Sequence, residues 1–248
     1  MPFHWGCKSA AGKVRKENQD AYVADADSGL FIVSDGMGGQ QAGELASKIV
    51  VSVLPGMMVT RLRELETADV QGVLANMRDI VLDVSKLLRG KSQEHTGLAG
   101  MGATIVVAWL SDAKAHIAHM GDSRAYLLRE GRFQQLTKDH SVADLLLRMG
   151  EITPEEAEGH PDRSRLARYI GMPHEARPDA FALALAKGDR LLLCSDGLTG
   201  MVADEAITAL LQKHTQPQAA CDALVRAANA AGGQDNITVV LVDWTGGE

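Results

Sequence analysis

The chain has 248 residues, and its 25 basic and 32 acidic side chains leave a net charge of −7. A chain of this length can bury a substantial core, and 46% hydrophobic residues is ordinary for a globular protein. No block of Lys and Arg occurs, which argues against nucleic acid as a partner, because affinity for a phosphate backbone needs clustered basic residues.

We expect a cytoplasmic protein without membrane association. The longest apolar stretches, such as residues 49–54, are far too short to span a bilayer, and the first residues lack a cationic segment that leads into an apolar one. Cys7, Cys194 and Cys221 are odd in number and widely separated, which fits reduced thiols better than a disulfide framework.

Nine short runs have the composition of β-strands. They lie at residues 4–9, 21–24, 30–33, 103–109, 115–120, 125–128, 180–185, 190–194 and 237–242. Short turns join neighbouring runs, as at residues 109–113 and 129–132, which is typical of hairpins in antiparallel sheets.

Helices are predicted between the groups of strands. The clearest begins at Val70, has apolar residues at three- and four-residue spacing, and is expected to stop at Gly90. Two others are predicted at residues 42–53 and 217–230. Because the helices do not alternate one for one with the strands, the pattern favours a layered α+β sandwich over a doubly wound sheet. With no repeat or long linker, residues 1–248 are expected to form one domain.

The pattern changes between residues 139 and 178. A short helix at residues 142–149 is expected to stop at Gly150, and a capping box at residues 153–156 begins another. The polar remainder contains His160. On pattern alone, this segment is equally well a flap that faces the substrate or a solvated excursion.

Two strands end in the same tripeptide, Ser-Asp-Gly, which places Asp35 and Asp196 at strand ends. A buried carboxylate is expensive to desolvate unless a cation or hydrogen-bond donors compensate. The glycine that follows allows a sharp turn, so that its carbonyl can approach the same ion. Asp122 and Asp235 occupy comparable junctions. Together the four acids indicate a multi-metal carboxylate site, although Asp-Gly is also a common turn and Asp122 could cap its hairpin.

Seven motifs follow one another along the chain. They are RKENQD at 15–20, SDGMGG at 34–39, GAT at 102–104, GDSR at 121–124, LTKDHS at 136–141, SDGL at 195–198 and QDN at 234–236. This ordered set resembles the motifs of the metal-dependent protein phosphatases of the PP2C type (PPM), and bacterial members in particular. The resemblance implies a four-layer α-β-β-α sandwich of two antiparallel sheets flanked by helix pairs. It also implies Mn²⁺ or Mg²⁺ as cofactor.

The resemblance further implies roles for individual residues. Asp35 matches the carboxylate that bridges two metal ions, and the Gly36 carbonyl matches a ligand of one of them. Asp196 and Asp235 match the acids that complete the pair. Asp20 matches an acid that orients metal-bound waters.

Two more positions match the family, one for a metal and one for phosphate. Asp122, with Asp196, matches a residue that can hold a third metal ion. Arg15 matches the phosphate-binding arginine, although without the motif it would be read as a surface residue. A guanidinium suits that role because it binds phosphoryl oxygens bidentately.

The implied reaction is hydrolysis of phosphoserine and phosphothreonine by a water that two metal ions activate, in a signalling role opposing a Ser/Thr kinase. Oxygen ligands suit Mg²⁺ and Mn²⁺. No covalent nucleophile is needed, and Ser123 and Ser195 lack the strained elbow and histidine partner of a nucleophilic serine. The runner-up is a degenerate phosphatase that only binds phosphoproteins, which predicts loss of the metal acids.

One position departs from the family. Many bacterial relatives carry His after the GMGG run, where this chain has Gln40, and Gln cannot act as a general acid. Either a metal-bound water or a flap group such as His160 protonates the leaving oxygen, or protonation is weakened. His119 is expected to be a hydrogen-bonded structural histidine, and His140 is also expected to be structural.

Overall fold

The structure is a computed structural model that describes residues 2–63, 69–94 and 96–246. Its strands are β1 Phe3–Ala10, β2 Asp20–Asp25, β3 Leu30–Met37, β4 Gly102–Ala103, β5 Ile105–Ser111, β6 Lys114–Met120, β7 Arg124–Arg129, β8 Arg132–Gln135, β9 Asp179–Ala184, β10 Arg190–Cys194 and β11 Ile237–Trp244. Its α-helices are α1 Gln40–Arg63, α2 Val70–Glu94, α3 Val142–Met149, α4 Pro154–Glu158, α5 Asp196–Thr199, α6 Asp204–Lys213 and α7 Pro217–Ala230.

The strands form two antiparallel sheets. One sheet has the order β1-β11-β10-β7-β8, and the other has the order β2-β3-β5-β6-β9, with β4 paired to β3. The hairpin turns are tight: Asp112 and Ala113 join β5 to β6 with φ near +50°, and Glu130 and Gly131 join β7 to β8 with positive φ. Such turns match the twist of the strands they connect.

Three apolar layers hold the sheets and helices together. The first lies between the two sheets and includes Phe31, Val106 and Leu193. The second packs α1 and α2 on the β3-β5-β6 face, and the third packs α5, α6 and α7 on the β10-β11 face. The predicted four-layer α-β-β-α sandwich is therefore confirmed.

Several element predictions need correction. Helix α2 runs through Gly90 to Glu94, because Gly90 keeps negative φ and a glycine ends a helix only when it turns out of the helical conformation. Helix α1 extends well past residue 53 and contains Pro55. Strand β8 and helix α6 were not predicted. β8 has only four residues, in which exposed polar residues alternate with half-buried ones, so its composition hardly indicates a strand.

Helix α1 also bears on the membrane expectation. Its stretch Ala42–Arg61 has 20 residues and is long and apolar enough, by length and composition, to cross a bilayer. The expectation that every apolar stretch is too short is wrong by that criterion. In the structure Ala46, Val50 and Leu54 are fully buried in the core beside β3 and α2, so this stretch packs as a core helix.

Candidate metal centre and active site

The predicted site residues meet at one edge of the sandwich, in a cleft of about 650 Å³. At this edge β3 and β10 end and β2 and β11 begin. The predicted residues that line the cleft are Arg15, Asp35, Gly36, Asp122, Asp196 and Asp235. Asp20 is buried at the start of β2.

The antiparallel register explains why Asp20 and Asp35 meet. They are directly opposite each other in the β2–β3 pair, so their side chains lie on the same face of the sheet. The backbone at Asp35 is fixed on its other side by Thr104. Its N–H donates to Thr104 Oγ1 at 2.9 Å, and Thr104 N–H donates to the Asp35 carbonyl at 2.8 Å.

Ser195 joins the two sheets at this edge. Its hydroxyl donates to Asp20 Oδ2 at 2.8 Å and accepts the Thr238 N–H at 3.0 Å. Both contacts are buried, and they connect the end of β10 to the start of β2. Ser195 therefore orients an acid, which agrees with the expectation that it is not a nucleophile.

Asn236 supports the loop that carries Arg15. Its Oδ1 accepts the Gln19 N–H at 2.8 Å, and its Nδ2 donates to the carbonyls of Ala11 and Glu17. Its own N–H donates to Asp235 Oδ1 at 2.8 Å. Sequence reasoning assigned no role to this buried asparagine, and the only signal was its place in the QDN motif.

Two glycines allow the backbone to pack closely around the cleft. A Cβ at Gly36 would lie 1.9 Å from the Gly43 carbonyl oxygen, and a Cβ at Gly197 would lie 1.9 Å from the Asn236 carbonyl oxygen. Both distances are far below van der Waals contact. The glycine of each Ser-Asp-Gly motif is therefore required by packing.

The acids raise one another's pKa. Burial raises the pKa of Asp20 to about 7, against the hydrogen bonds from Ser195 and Thr238, which lower it. Burial, followed by the charge of Asp20, raises the pKa of Asp35 well above its usual range. Burial and the charge of Asp196 raise the pKa of Asp122 to about 8.

Asp196 belongs to the same group, because burial and the charge of Asp235 raise its pKa. Buried carboxylates this close cannot all ionise near neutral pH unless a cation compensates their charge.

The donor set fits a hard divalent cation. Asp20 Oδ1 and Asp196 Oδ1 are buried and have no hydrogen-bond partner among the described residues. The cleft is lined by four aspartates and by Gly36, which has a backbone carbonyl. Mg²⁺ and Mn²⁺ prefer oxygen ligands of these kinds. Buried oxygens without partners are what an ion site requires.

Arg15 lies at the rim of the cleft. Its Nη2 donates to Asp235 Oδ2 at 2.7 Å, and 54% of its side chain is exposed. This ion pair raises the pKa of the guanidinium further. Arg15 is therefore charged, accessible to a phosphate and oriented by an acid of the same cleft.

The segment at residues 139–178 covers one side of the cleft. Ser164, Arg165, Leu166 and Tyr169 line it, which favours the flap over the solvated excursion. Within the flap, α3 ends at Gly150 with φ 74°, and the Thr153 capping box begins α4, as predicted. His160 lies in the flap but outside the cleft lining, and its Nδ1 accepts the Asp162 N–H at 3.1 Å.

The remaining singled-out residues take structural positions. His140 is buried and forms hydrogen bonds with Gly121 and Asp179, as expected of a structural residue. His119 is buried and its ring stacks on that of His140, but its Nδ1 has no hydrogen-bond partner among the described residues. The expectation of a hydrogen-bonded His119 is not met at that atom. Gln40 begins α1, and its side chain lies outside the described part of the structure.

Comparison with known proteins agrees with this geometry. The sequence profile of the family described as protein phosphatase 2C matches residues 11–238. Protein phosphatase PhpP of Streptococcus pneumoniae is 38% identical over 235 residues, which cover 93% of each chain.

Solved structures agree as well. The crystal structure of the Mycobacterium tuberculosis serine/threonine phosphatase PstP/Ppp has a TM-score of 0.87 and 34% identity, covering 99% of this chain and 100% of that one. A structure of the PstP catalytic domain in complex with two manganese ions has a TM-score of 0.81 and 34% identity, covering 97% of each chain.

Proposed function

The chain belongs to the protein phosphatase 2C family of metal-dependent serine/threonine phosphatases, and we propose that its cleft acids and Arg15 carry the hydrolysis of phosphoserine and phosphothreonine in proteins. The observation that carries this proposal is the convergence of Asp35, Asp196 and Asp235, with Arg15, in one cleft.

The metal-binding roles follow from position and chemistry. Asp35, Asp196, Asp235 and the Gly36 carbonyl would hold two Mn²⁺ or Mg²⁺ ions. Asp122 and Asp196, which share both the main cleft and an adjoining groove, would hold a third. When bound, such ions lower the pKa of water and neutralise phosphoryl charge. Asp20, whose carboxylate accepts a hydrogen bond from Ser195, would orient water beside the bound ions.

Arg15 would bind the substrate phosphate. It would exchange part of its contact with Asp235 for phosphoryl oxygens and stabilise the charge that develops on them. Its exposure leaves room for a phosphorylated side chain to enter from solvent. Arg165 and Tyr169 of the flap would contact the polypeptide around that side chain.

We infer a phosphoprotein substrate phosphorylated by a Ser/Thr kinase, with neither nucleic acid nor membrane as partner. We further infer a cytoplasmic location, which the three free thiols Cys7, Cys194 and Cys221 support, and one phosphatase domain over residues 1–248 with a flap at 139–178. A degenerate, purely binding module is disfavoured because all the predicted metal acids are present at the cleft.

The test is hydrolysis of a phosphothreonine peptide and of an aryl phosphate, with and without Mn²⁺ or Mg²⁺. Asp35→Asn should remove nearly all turnover while the fold survives. Asp112→Asn is the matched control, because Asp112 is an exposed turn residue away from the cleft. Full activity after exhaustive chelation, or in Asp35→Asn, would overturn the proposal.

A further inference from the structure

His140 contacts the turn that carries Asp122 through two hydrogen bonds. The His140 N–H donates to the Gly121 carbonyl at 3.0 Å, and the Gly121 N–H donates to His140 Nδ1 at 3.2 Å. Gly121 directly precedes Asp122 and has φ 115°, and a Cβ there would lie 2.6 Å from Thr104. The turn is therefore held between Thr104 on one side and His140 on the other.

The second ring nitrogen of His140 faces an acid. Its Nε2 lies 3.2 Å from Asp179 Oδ2, at the start of β9. Burial lowers the pKa of His140, so its ring is neutral near pH 7 and carries one N–H. Because Nδ1 accepts from Gly121, that proton must be on Nε2, where it is donated to Asp179.

The flap is fixed at the same residue. The His140 carbonyl accepts the N–H groups of Ala167 at 2.7 Å and Arg168 at 3.3 Å. Arg168 Nη1 also donates to Asp179 Oδ1 at 3.2 Å. Flap residues 167–168 and the turn that carries Asp122 are thus both hydrogen-bonded to the same buried residue, His140.

The same cluster could be taken for a metal site. One donor atom each from His119, His140 and Asp179 lies within 4.8 Å of the others. A metal ion at His140 Nε2 would require the ring proton on Nδ1, where the Gly121 N–H already points. Two donors would then face each other. The hydrogen bonds therefore favour a His140 that accepts from Gly121 and donates to Asp179 over a His140 that binds a metal ion.

We propose that His140, as the Nε2–H tautomer, is a positioning residue that fixes the Asp122 turn to the base of the flap. Through this contact, ion binding at Asp122 and the position of the flap depend on each other. The proposal rests on the proposed function in one respect, that Asp122 binds a divalent ion.

Two substitutions separate the two ring nitrogens. In His140→Asn the side-chain oxygen can take the place of Nδ1 and accept from Gly121, while the group that reaches Asp179 is lost. In His140→Gln the terminal amide can take the place of Nε2, while the acceptor for Gly121 is lost. Both variants remove the stacking on His119, so each serves as the control for the other.

The first measurement is amide hydrogen exchange of Gly121 in the metal-free protein, compared at equal global stability. We expect exchange about ten-fold faster in His140→Gln, because that is the effect of losing about one net hydrogen bond. In His140→Asn the exchange rate should stay near that of the wild type. Long-range proton–nitrogen NMR of the wild type should show the proton on His140 Nε2. A proton on Nδ1, or equal exchange in the two variants, would overturn the positioning role.

The second measurement is calorimetric titration with Mn²⁺, using Asp122→Ala to identify the binding that depends on Asp122. His140→Gln should weaken that binding about ten-fold, and His140→Asn should change it less than three-fold, with the tightest binding unchanged in both. If Asp122→Ala binds Mn²⁺ as the wild type does, the link to the ion is wrong. Wild-type hydrolysis would then remain as evidence for the proposed function.

Discussion

Asp20 and Asp35 are directly opposite each other on β2 and β3, so the buried carboxylate of Asp20 lies beside that of Asp35, which lines the cleft. Both have raised pKa values: burial and the charge of Asp20 raise the pKa of Asp35, and burial with the charges of Asp196 and Asp235 raises that of Asp20. The fold therefore carries an unfavourable cluster of like charges that either protons or cations must neutralise.

This cluster predicts an unusual pH dependence for the metal-free protein. The pKa of Asp20 is about 7 in the folded state and near 3.8 when unfolded, so folded Asp20 holds a proton that the unfolded chain releases between these values. Its contribution to stability is present below pH 4 and is lost as pH rises through 7. The contribution of Asp20 to the free energy of unfolding should thus fall by about 1.4 kcal/mol per pH unit between pH 5 and 7, and change little above pH 8.

Denaturant unfolding in chelator at several pH values measures this contribution. The buried histidines His116, His119 and His140 have lowered pKa values and act in the opposite direction, so the comparison with Asp20→Asn isolates the carboxylate. Asp20→Asn should lose less stability than the wild type between pH 5 and 7, and the loss that remains comes from Asp35, Asp122 and Asp196, whose pKa values are also raised. An identical pH profile in the wild type and the variant would contradict the assignment.

Ion binding should show the converse pH dependence. Protons held by Asp20 and Asp122, with pKa values of about 7 and 8, must leave before a cation binds. Mn²⁺ affinity should therefore fall between pH 8 and 6, and binding should release protons. Calorimetry in buffers of different ionisation enthalpy counts the protons released. An affinity that does not depend on pH, with no proton release, would show that Asp20 and Asp122 hold no protons that Mn²⁺ displaces.

Arg15 should affect substrate far more than metal. Arg15→Ala should lower kcat/KM by about 10²-fold, because it removes a guanidinium that contacts the phosphoryl group. Metal affinity should change less than about five-fold, since a half-exposed ion pair such as Arg15 with Asp235 contributes only about 0.2–1 kcal/mol. Arg15→Lys should recover little, because an ammonium cannot bind bidentately. A large loss of Mn²⁺ affinity with unchanged kcat/KM would reverse these roles.

Gly36 and Gly56 should respond oppositely to alanine. Gly36→Ala places a Cβ 1.9 Å from the Gly43 carbonyl, so the end of β3 and the start of α1 must move apart. We expect at least about 2 kcal/mol of destabilisation and impaired metal binding. Gly56 is exposed within α1 and has open space around it, so Gly56→Ala should stabilise by about 0.5–1 kcal/mol. Thermal unfolding of both variants checks the pair, and a neutral Gly36→Ala would show that this contact can relax.

Gln40 tests how the leaving oxygen is protonated. If general-acid help is weak with glutamine at this position, Gln40→His should speed hydrolysis of a phosphothreonine peptide more than that of nitrophenyl phosphate. The reason is that an alkoxide needs a proton on leaving and nitrophenolate does not. Steady-state kinetics on both substrates decide this. Equal effects, or none, would mean that residue 40 does not act at the leaving group.

The sequence predicted the acids of this site, but not the residues that hold them in place through hydrogen bonds. Asp35 and Asp196 were identifiable because each follows an apolar strand and precedes a glycine, and both properties are local. The contact of Ser195 with Asp20 joins residues 175 positions apart, and no local pattern encodes it. The role of Asn236 is equally hidden, because its partners lie on a loop more than 200 residues away.

The same distinction applies to the fold. Capping of α3 and α4 was predicted correctly because the cap residues and their partners are within a few positions of each other. The stop at Gly90 was wrong because a glycine permits a helix end but does not require one. Strand β8 was missed because its pairing with β7, and not its composition, makes it a strand.

Acids from both sheets converge at this edge of the sandwich, where we propose a divalent metal centre. Anomalous diffraction at the manganese absorption edge, from crystals soaked in Mn²⁺, tests it most directly. We predict peaks between Asp35, Asp196 and Asp235, and their loss in Asp35→Asn. Peaks at the His119, His140 and Asp179 cluster alone, or no peak in the cleft at saturating Mn²⁺, would show that these acids do not form a metal centre.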